Sequence, residues 1–171
     1  MLITEAYRQQ NEQLHSDIKM YGLGGVRWAK DLQVAIDALK AESVLDYGCG
    51  KGELVRHFKK QGYNAFGYDP AVAEFSARPE PADFVVCTDV LEHVEPQFVE
   101  NVLKDIKALT KKTCFLVIST KPAKKNLPDG RNAHLSLYDS NVWLYWAIKH
   151  FSVVKFIDFG IGCVIVGVAR P

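Results

Sequence analysis

An apolar run, Ser43-Val-Leu-Asp-Tyr47, breaks into three glycines within five residues, Gly48, Gly50 and Gly52. It then resumes with Leu54, Val55 and Phe58 on one helical face. Glycine tolerates positive φ and leaves no Cβ in the way. The order therefore predicts a strand, a tight turn and a helix, with the turn backbone open to close approach by a ligand.

The rest of the chain repeats this alternation. Asn64 to Tyr68, Asp83 to Thr88 and Cys114 to Ser119 are short, continuously apolar runs, as expected of parallel strands covered on both faces. Phe98, Val99, Val102, Leu103, Ile106 and Leu109 recur at helical spacing and supply a crossover. Trp28, Leu32, Val34, Ala35, Ile36 and Leu39 do the same before the first strand, and a weaker polar helix is expected over about Thr4 to Asp17. Asp139 or Ser140 is placed to cap a helix through about Lys149. Ser152 to Phe159 and Cys163 to Ala169 then read as a hairpin across Gly160-Ile161-Gly162. This is the pattern of a three-layer α/β sandwich with a mostly parallel sheet of about six or seven strands, N-terminal helices and a C-terminal antiparallel hairpin. The stretch Pro70 to Ala82 is short for a helix plus a strand, so one peripheral strand is expected to be missing or vestigial.

With 171 residues, 48% of them hydrophobic, the chain is sized for one domain over residues 1–171. Within it, residues 1–42 are expected to form a helical cap and residues 121–138 a substrate-recognition loop. Twenty-one basic against twenty acidic residues give a net charge of +1, so no global field favours nucleic acid, a membrane surface or another polyanion. Cys49, Cys87, Cys114 and Cys163 form no C-x-x-C pair and mostly sit in apolar runs, which predicts reduced, structural thiols. The segment Met1 to Met20 lacks an apolar signal core, and a cytoplasmic setting is expected.

Two acids sharpen the glycine pattern. Asp46 stands two residues before Gly48, where it would repel a pyrophosphate but can orient a cationic amino group. Asp69 follows the second apolar run, where a carboxylate can accept hydrogen bonds from the vicinal hydroxyls of a ribose. Taken together, Val44-Leu-Asp-Tyr-Gly-Cys-Gly-Lys-Gly-Glu-Leu54, Gly67-Tyr-Asp-Pro70 and Asp83-Phe-Val-Val-Cys-Thr-Asp-Val-Leu-Glu-His-Val94 resemble three motifs of the class I S-adenosylmethionine-dependent methyltransferases, in the family's order.

The resemblance spans roughly residues 43–120 and implies S-adenosylmethionine as cofactor, with S-adenosylhomocysteine as product. It implies that Asp46 and the backbone of Gly48, Cys49 and Gly50 meet the amino-acid end and that Asp69 meets the ribose. Thr88, Asp89 and Leu91 would line the methionine and adenine region. The family's second acidic loop is not obvious after Asp69, which leaves Tyr68, Pro70 and the backbone of Ala71 to Phe75 for the adenine.

On the acceptor side, His93, beside Glu92, is the first candidate general base, unless it only caps the next turn. His134 is the second. It lies in the loop Lys121 to Leu135, where the Pro128-Asp-Gly130 turn is expected to present Arg131, Asn132 and His134 together, with Lys121 nearby, toward a carboxylate, phosphate or sugar hydroxyl. Trp143, Tyr145 and Trp146 suit either a substrate wall or the core. Tyr7, Tyr21 and Gly22-Leu-Gly-Gly25 suit a lid or a plain linker.

No metal site is expected, since Asp89, Glu92 and His93 are too close in sequence to make a persuasive ligand set. The implied reaction is direct methyl transfer to an O or N nucleophile of a small or medium metabolite. Nucleic acid is a disfavoured acceptor, because Thr88-Asp-Val-Leu91 stands where an Asn/Asp-Pro-Pro-aromatic motif would be. Two rival readings use the same pocket: another enzyme class on this fold, such as an aminopropyl transferase or a cyclase, and a non-catalytic partner protein whose contact surface is the basic loop.

Overall fold

The computed structural model describes residues 1–18 and 21–170; Lys19 and Met20, at the end of the polar N-terminal stretch, and Pro171 lie outside the described residues. Strands β1 (Val44–Tyr47), β2 (Ala65–Tyr68), β3 (Ala82–Thr88), β4 (Thr110–Ser119), β5 (Phe151–Asp158) and β6 (Gly162–Ala169) form one sheet in the order β2-β1-β3-β4-β6-β5. The pairs β1–β2, β1–β3 and β3–β4 are parallel, whereas β4–β6 and β5–β6 are antiparallel. Residues between Asp69 and Ala82 make only a single 3-10 turn, Ala73–Phe75, so the sheet ends at β2 and the peripheral strand in question is absent among the described residues.

Alternation along β1 and β3 sorts side chains to two faces. On one face, Val44, Phe84, Val86, Phe115 and Val117 pack with Leu32 and Ile36 of α2 (Ala29–Ala38) and with Leu54, Val55 and Phe58 of α3 (Glu53–Lys60). On the other, Leu45, Val85, Cys87, Leu116 and Ile118 pack with Val102, Leu103 and Ile106 of α4 (Val99–Leu109) and with Trp143 and Ala147 of α5 (Ser140–His150). This is the expected three-layer sandwich. Periodicity overreached on α2 and its C-cap, where Val34 and Leu39 point outward at 66% and 47% exposure. Asp139 precedes α5, but its side chain makes no capping bond. The four cysteines are buried thiols, and no helix among the described residues is long and apolar enough to cross a membrane.

The stretch 1–42 divides in two. While α2 joins the sheet layers, α1 (Glu5–Asp17) sets Tyr7 and Leu14 against Leu127 and Ala133 of the loop after β4, in a small core of their own. Thr4 caps α1 by accepting the Tyr7 N–H at 3.2 Å. The same residue is tied to the far side of the chain, donating its N–H to Glu95 Oε2 at 2.7 Å and its hydroxyl to Glu95 Oε1 at 3.0 Å.

Because Glu95 is buried, replacing it with Ala leaves two Thr4 donors unpaired, at a local cost of about 1–3 kcal/mol. Hydrogen exchange of Glu95→Ala should show lost protection over α1 with β1, β3 and β4 unchanged; an equally protected α1 would mean that the apolar contacts alone hold it.

Candidate functional site

The chain leaves β1, runs to β2 on one side and returns to β3 on the other, which opens a crevice at the carboxyl ends of the strands. A cavity of about 490 Å³ occupies this place, within the usual range for small-molecule sites. Its floor is the turn after β1. Gly48 has φ +77° and Gly50 φ +52°. A Cβ on Gly48 would come within 2.3 Å of Val90, and one on Gly50 within 2.6 Å of the Gly22 carbonyl oxygen. Both positions therefore require glycine on conformational and steric grounds.

The turn is bonded to the end of β2. Gly48 and Cys49 donate their N–H groups to the Tyr68 carbonyl at 2.7 and 3.1 Å, and Gly50 donates to Asp69 Oδ2 at 3.0 Å. Asp69 Oδ1 accepts the Ala71 N–H at 2.9 Å. Each Asp69 oxygen still has a lone pair for an incoming hydroxyl. Asp46 is buried in the cavity wall, and burial together with the charge of Asp69 pushes its carboxyl up to about 7. Pro70 and Ala71 line the same side, whereas Tyr68 packs its ring against Tyr47 in the core and is not available to a ligand.

At the end of β3, Thr88 and Asp89 line the cavity, but Leu91 does not: it is fully buried in the core. Val90, packed against Gly48, takes the wall position instead. Asp89 adopts φ +56° and pairs with Arg27 at 2.5 Å. Glu92 and His93 sit on the 3-10 turn Leu91–His93. Glu92 is wholly buried, its Oε1 accepting the Ser119 N–H at 3.0 Å. Burial, reinforced by Asp89, pushes its carboxyl up to about 8. Burial and the neighbouring His134 bring the His93 imidazole down to about 4.

The loop after β4 corrects the expectation for its polar residues. The Pro128-Asp-Gly130 turn forms, with Gly130 at φ +88°, yet it does not present Arg131, Asn132 and His134 as a set. Arg131 is exposed and paired with Asp129 at 2.7 Å, outside the cavity. Asn132 is spent inside the loop: its Oδ1 accepts the N–H groups of Ala123 and His134, and its Nδ2 donates to the Ala123 carbonyl. The Lys121 side chain also lies outside the cavity, and only its carbonyl matters there, as a partner of His134. His134 does face the cavity, with its ring 4.6 Å from that of His93 and perpendicular to it. Lys124 and Lys125 line the rim in place of Lys121 and Arg131.

Sequence reasoning missed Arg27, Asn11 and His15, which reach the cavity through tertiary contacts with no local signature. Tyr7, Tyr21 and Gly22 to Gly25 all line it, and Tyr21 bridges the two covering segments. Its hydroxyl donates to Asn11 at 3.2 Å, and its ring lies 5.1 Å from the Lys125 ammonium. Trp143 and Trp146 pack in or against the core, Tyr145 is exposed, and none of them walls the site.

A protein family described as "Methyltransferase domain" matches residues 24–158. No functionally curated protein matches the sequence. Among solved structures, the chain is similar to the 1,6-didemethyltoxoflavin-N1-methyltransferase of Burkholderia thailandensis, solved with 1,6-didemethyltoxoflavin and S-adenosylhomocysteine. The TM-score is 0.69 at 17% identity, covering 97% of this chain and 88% of the other. It is also similar to the magnesium protoporphyrin IX methyltransferase of Synechocystis with bound S-adenosylhomocysteine, with a TM-score of 0.61 at 15% identity, covering 97% and 95%. At these identities the likeness is one of fold.

The roles found for the loop side chains are separable by mutation. Asn132→Ala removes three half-buried hydrogen bonds within the loop and should destabilise it by about 1–3 kcal/mol, read as faster exchange of the amides of residues 121–134, whereas Arg131→Ala should change stability by under about 0.5 kcal/mol. Equal effects from the two would refute the assignment of Asn132 as the staple.

Proposed function

The chain belongs to the methyltransferase-domain family, and from that premise we propose that it transfers a methyl group from S-adenosylmethionine to an oxygen or nitrogen nucleophile of a small or medium metabolite. The observation that carries the reading is one cavity lined by two unlike groups of residues. One is the glycine turn framed by Asp46 and Asp69, and the other is Glu92, His93 and His134.

The first group suits the cofactor. Asp46 is buried beside a like charge, and an ammonium group against it would relieve both penalties. Asp69 would take the ribose hydroxyls on its remaining lone pairs, with the Gly48–Gly50 backbone along the amino-acid end and Cys49, Pro70, Ala71, Thr88 and Asp89 completing the wall. When bound, the cofactor supplies a sulfonium methyl, whose bond to sulfur breaks with its electron pair left on sulfur as the acceptor's lone pair forms the new bond.

What remains for the protein is to hold the acceptor in line and draw its proton away. His93 and His134 face that position together. Held near 4, His93 is neutral at physiological pH and is a weak base, which leaves the role of proton acceptor to His134, the ring beside it. Lys124 and Lys125 on the rim favour an acceptor that carries a carboxylate or phosphate. In this reading residues 1–171 act as one domain, with α1 and the loop 121–138 closing over the acceptor in a cytoplasmic setting that keeps the four buried thiols reduced.

Two measurements test the division of labour. Below about pH 7 Asp46 holds a proton that a bound ammonium must displace. Calorimetry should therefore show S-adenosylmethionine affinity rising between pH 5.5 and 7.5, by up to about tenfold per unit, with proton release. Asp46→Asn should flatten that dependence, and a flat wild-type profile would remove Asp46 from the amino-group site. With an acceptor found by screening metabolite extracts against labelled cofactor, His134→Ala should lower turnover by about 10²- to 10⁴-fold with cofactor affinity nearly intact. Full activity in this variant would leave His134 a spectator.

A further inference from the structure

Folding brings Glu92, His93 and His134 together so that one ligand atom from each lies within 4.8 Å of the others. Both imidazoles are anchored through the same nitrogen. His93 Nδ1 lies 2.8 Å from the Ala133 carbonyl oxygen and His134 Nδ1 2.5 Å from that of Lys121. A carbonyl only accepts, so in each neutral ring Nδ1 carries the hydrogen and Nε2 presents a lone pair. Backbone carbonyls that fix the tautomer in this way are the usual support of metal-binding histidines. Glu92 adds an independent observation. It is 0% exposed, its Oε1 is bonded to Ser119, and its Oε2 is buried with no hydrogen-bond partner among the described residues. An unpaired carboxyl oxygen inside a protein is costly, and this one belongs to the residue that clusters with the two histidines.

We propose that Glu92 Oε2, His93 Nε2 and His134 Nε2 form a binding site for a divalent first-row transition-metal ion. Two imidazoles and one carboxylate select ions of the Mn²⁺ to Zn²⁺ series over Mg²⁺ and Ca²⁺, which prefer all-oxygen shells. Three protein ligands leave coordination positions open, and all three side chains line the cavity. Asp89, although close in sequence, is committed to Arg27 and takes no part. The expectation of no metal site weighed only residues adjacent in sequence, whereas the third ligand of the proposed site comes from the loop after β4.

What occupies the open positions rests on the methyl-transfer reading. An acceptor hydroxyl bound to the ion loses its proton more readily and keeps a lone pair for attack, while a bound amine has its only lone pair tied up. The site therefore narrows the acceptor class to hydroxyl compounds. With both Nε2 lone pairs on the ion, the hydroxyl's proton passes to solvent water at the open cavity mouth instead of to a ring nitrogen.

Tag-free protein stripped with EDTA should bind about one Co²⁺ per chain by calorimetry, with a change in the visible Co²⁺ absorption. His134→Ala and, separately, Glu92→Gln should each weaken that binding at least about tenfold while S-adenosylhomocysteine still binds, which reports an intact fold. Unchanged Co²⁺ affinity in both variants would put the ion elsewhere and overturn the site. Absence of Co²⁺ binding in protein that binds S-adenosylhomocysteine would overturn the metal inference and leave methyl transfer standing. Binding of neither would overturn both.

Discussion

The structure hangs on three N–H bonds. Gly48 and Cys49 donate to the Tyr68 carbonyl and Gly50 to Asp69, which locks the turn after β1 onto the end of β2. Without them the donors of a buried turn would go unpaired. With them the turn lies flat enough for Val90 to close on Gly48 from one side and Gly22 on Gly50 from the other. The parallel register of β1 with β2 and β3, the position of the crevice and the route of the N-terminal segment all follow from this one fastening.

The turn and the acid that take part in that fastening were legible in the sequence, although the bonds between them were not. Glycines at fixed spacing after an apolar run, and an acid closing the next run, need no knowledge of distant partners. The strands were legible for the same reason: runs such as Phe84 to Cys87 are apolar on both faces, and only a covered sheet satisfies that. Leu91 and Asn132 were misread because the outcome there is decided elsewhere. The 3-10 turn after β3 rotates Leu91 under the sheet, and Ala123, nine residues upstream, captures the Asn132 amide. Arg27 was invisible, since only the fold brings it to Asp89, sixty-two positions away.

The roof of the cavity is built on different terms from its floor. Tyr7 and Leu14 of α1 share a small core with Leu127 and Ala133 of the loop after β4, apart from the two cores that hold the sheet. Covering segments that stabilise each other leave the sheet's packing untouched when they change. Under the proposed function this would separate acceptor recognition, in the roof and the turn after β3, from cofactor binding, in the floor. It also explains why the basic loop misled: its fixed backbone is held by Asn132 and buried apolar residues, and most of its charges simply face solvent.

Charge completes the picture. The cavity wall gathers Asp46, Asp69, Asp89 and Glu92, and Arg27 answers only one of them directly. Asp46, pushed up to about 7, binds a proton in the fold that it would release in the unfolded chain above about pH 4. Its contribution to stability therefore declines as pH rises between those values, so at neutral pH the empty site carries a penalty that a bound cation removes. Elsewhere in the cavity the unpaired Glu92 oxygen poses the same problem in geometric form. Two buried acids in one cavity, each lacking a positive partner, thus share the logic of the two proposals: a sulfonium-bearing amino acid would relieve the first and a metal ion the second.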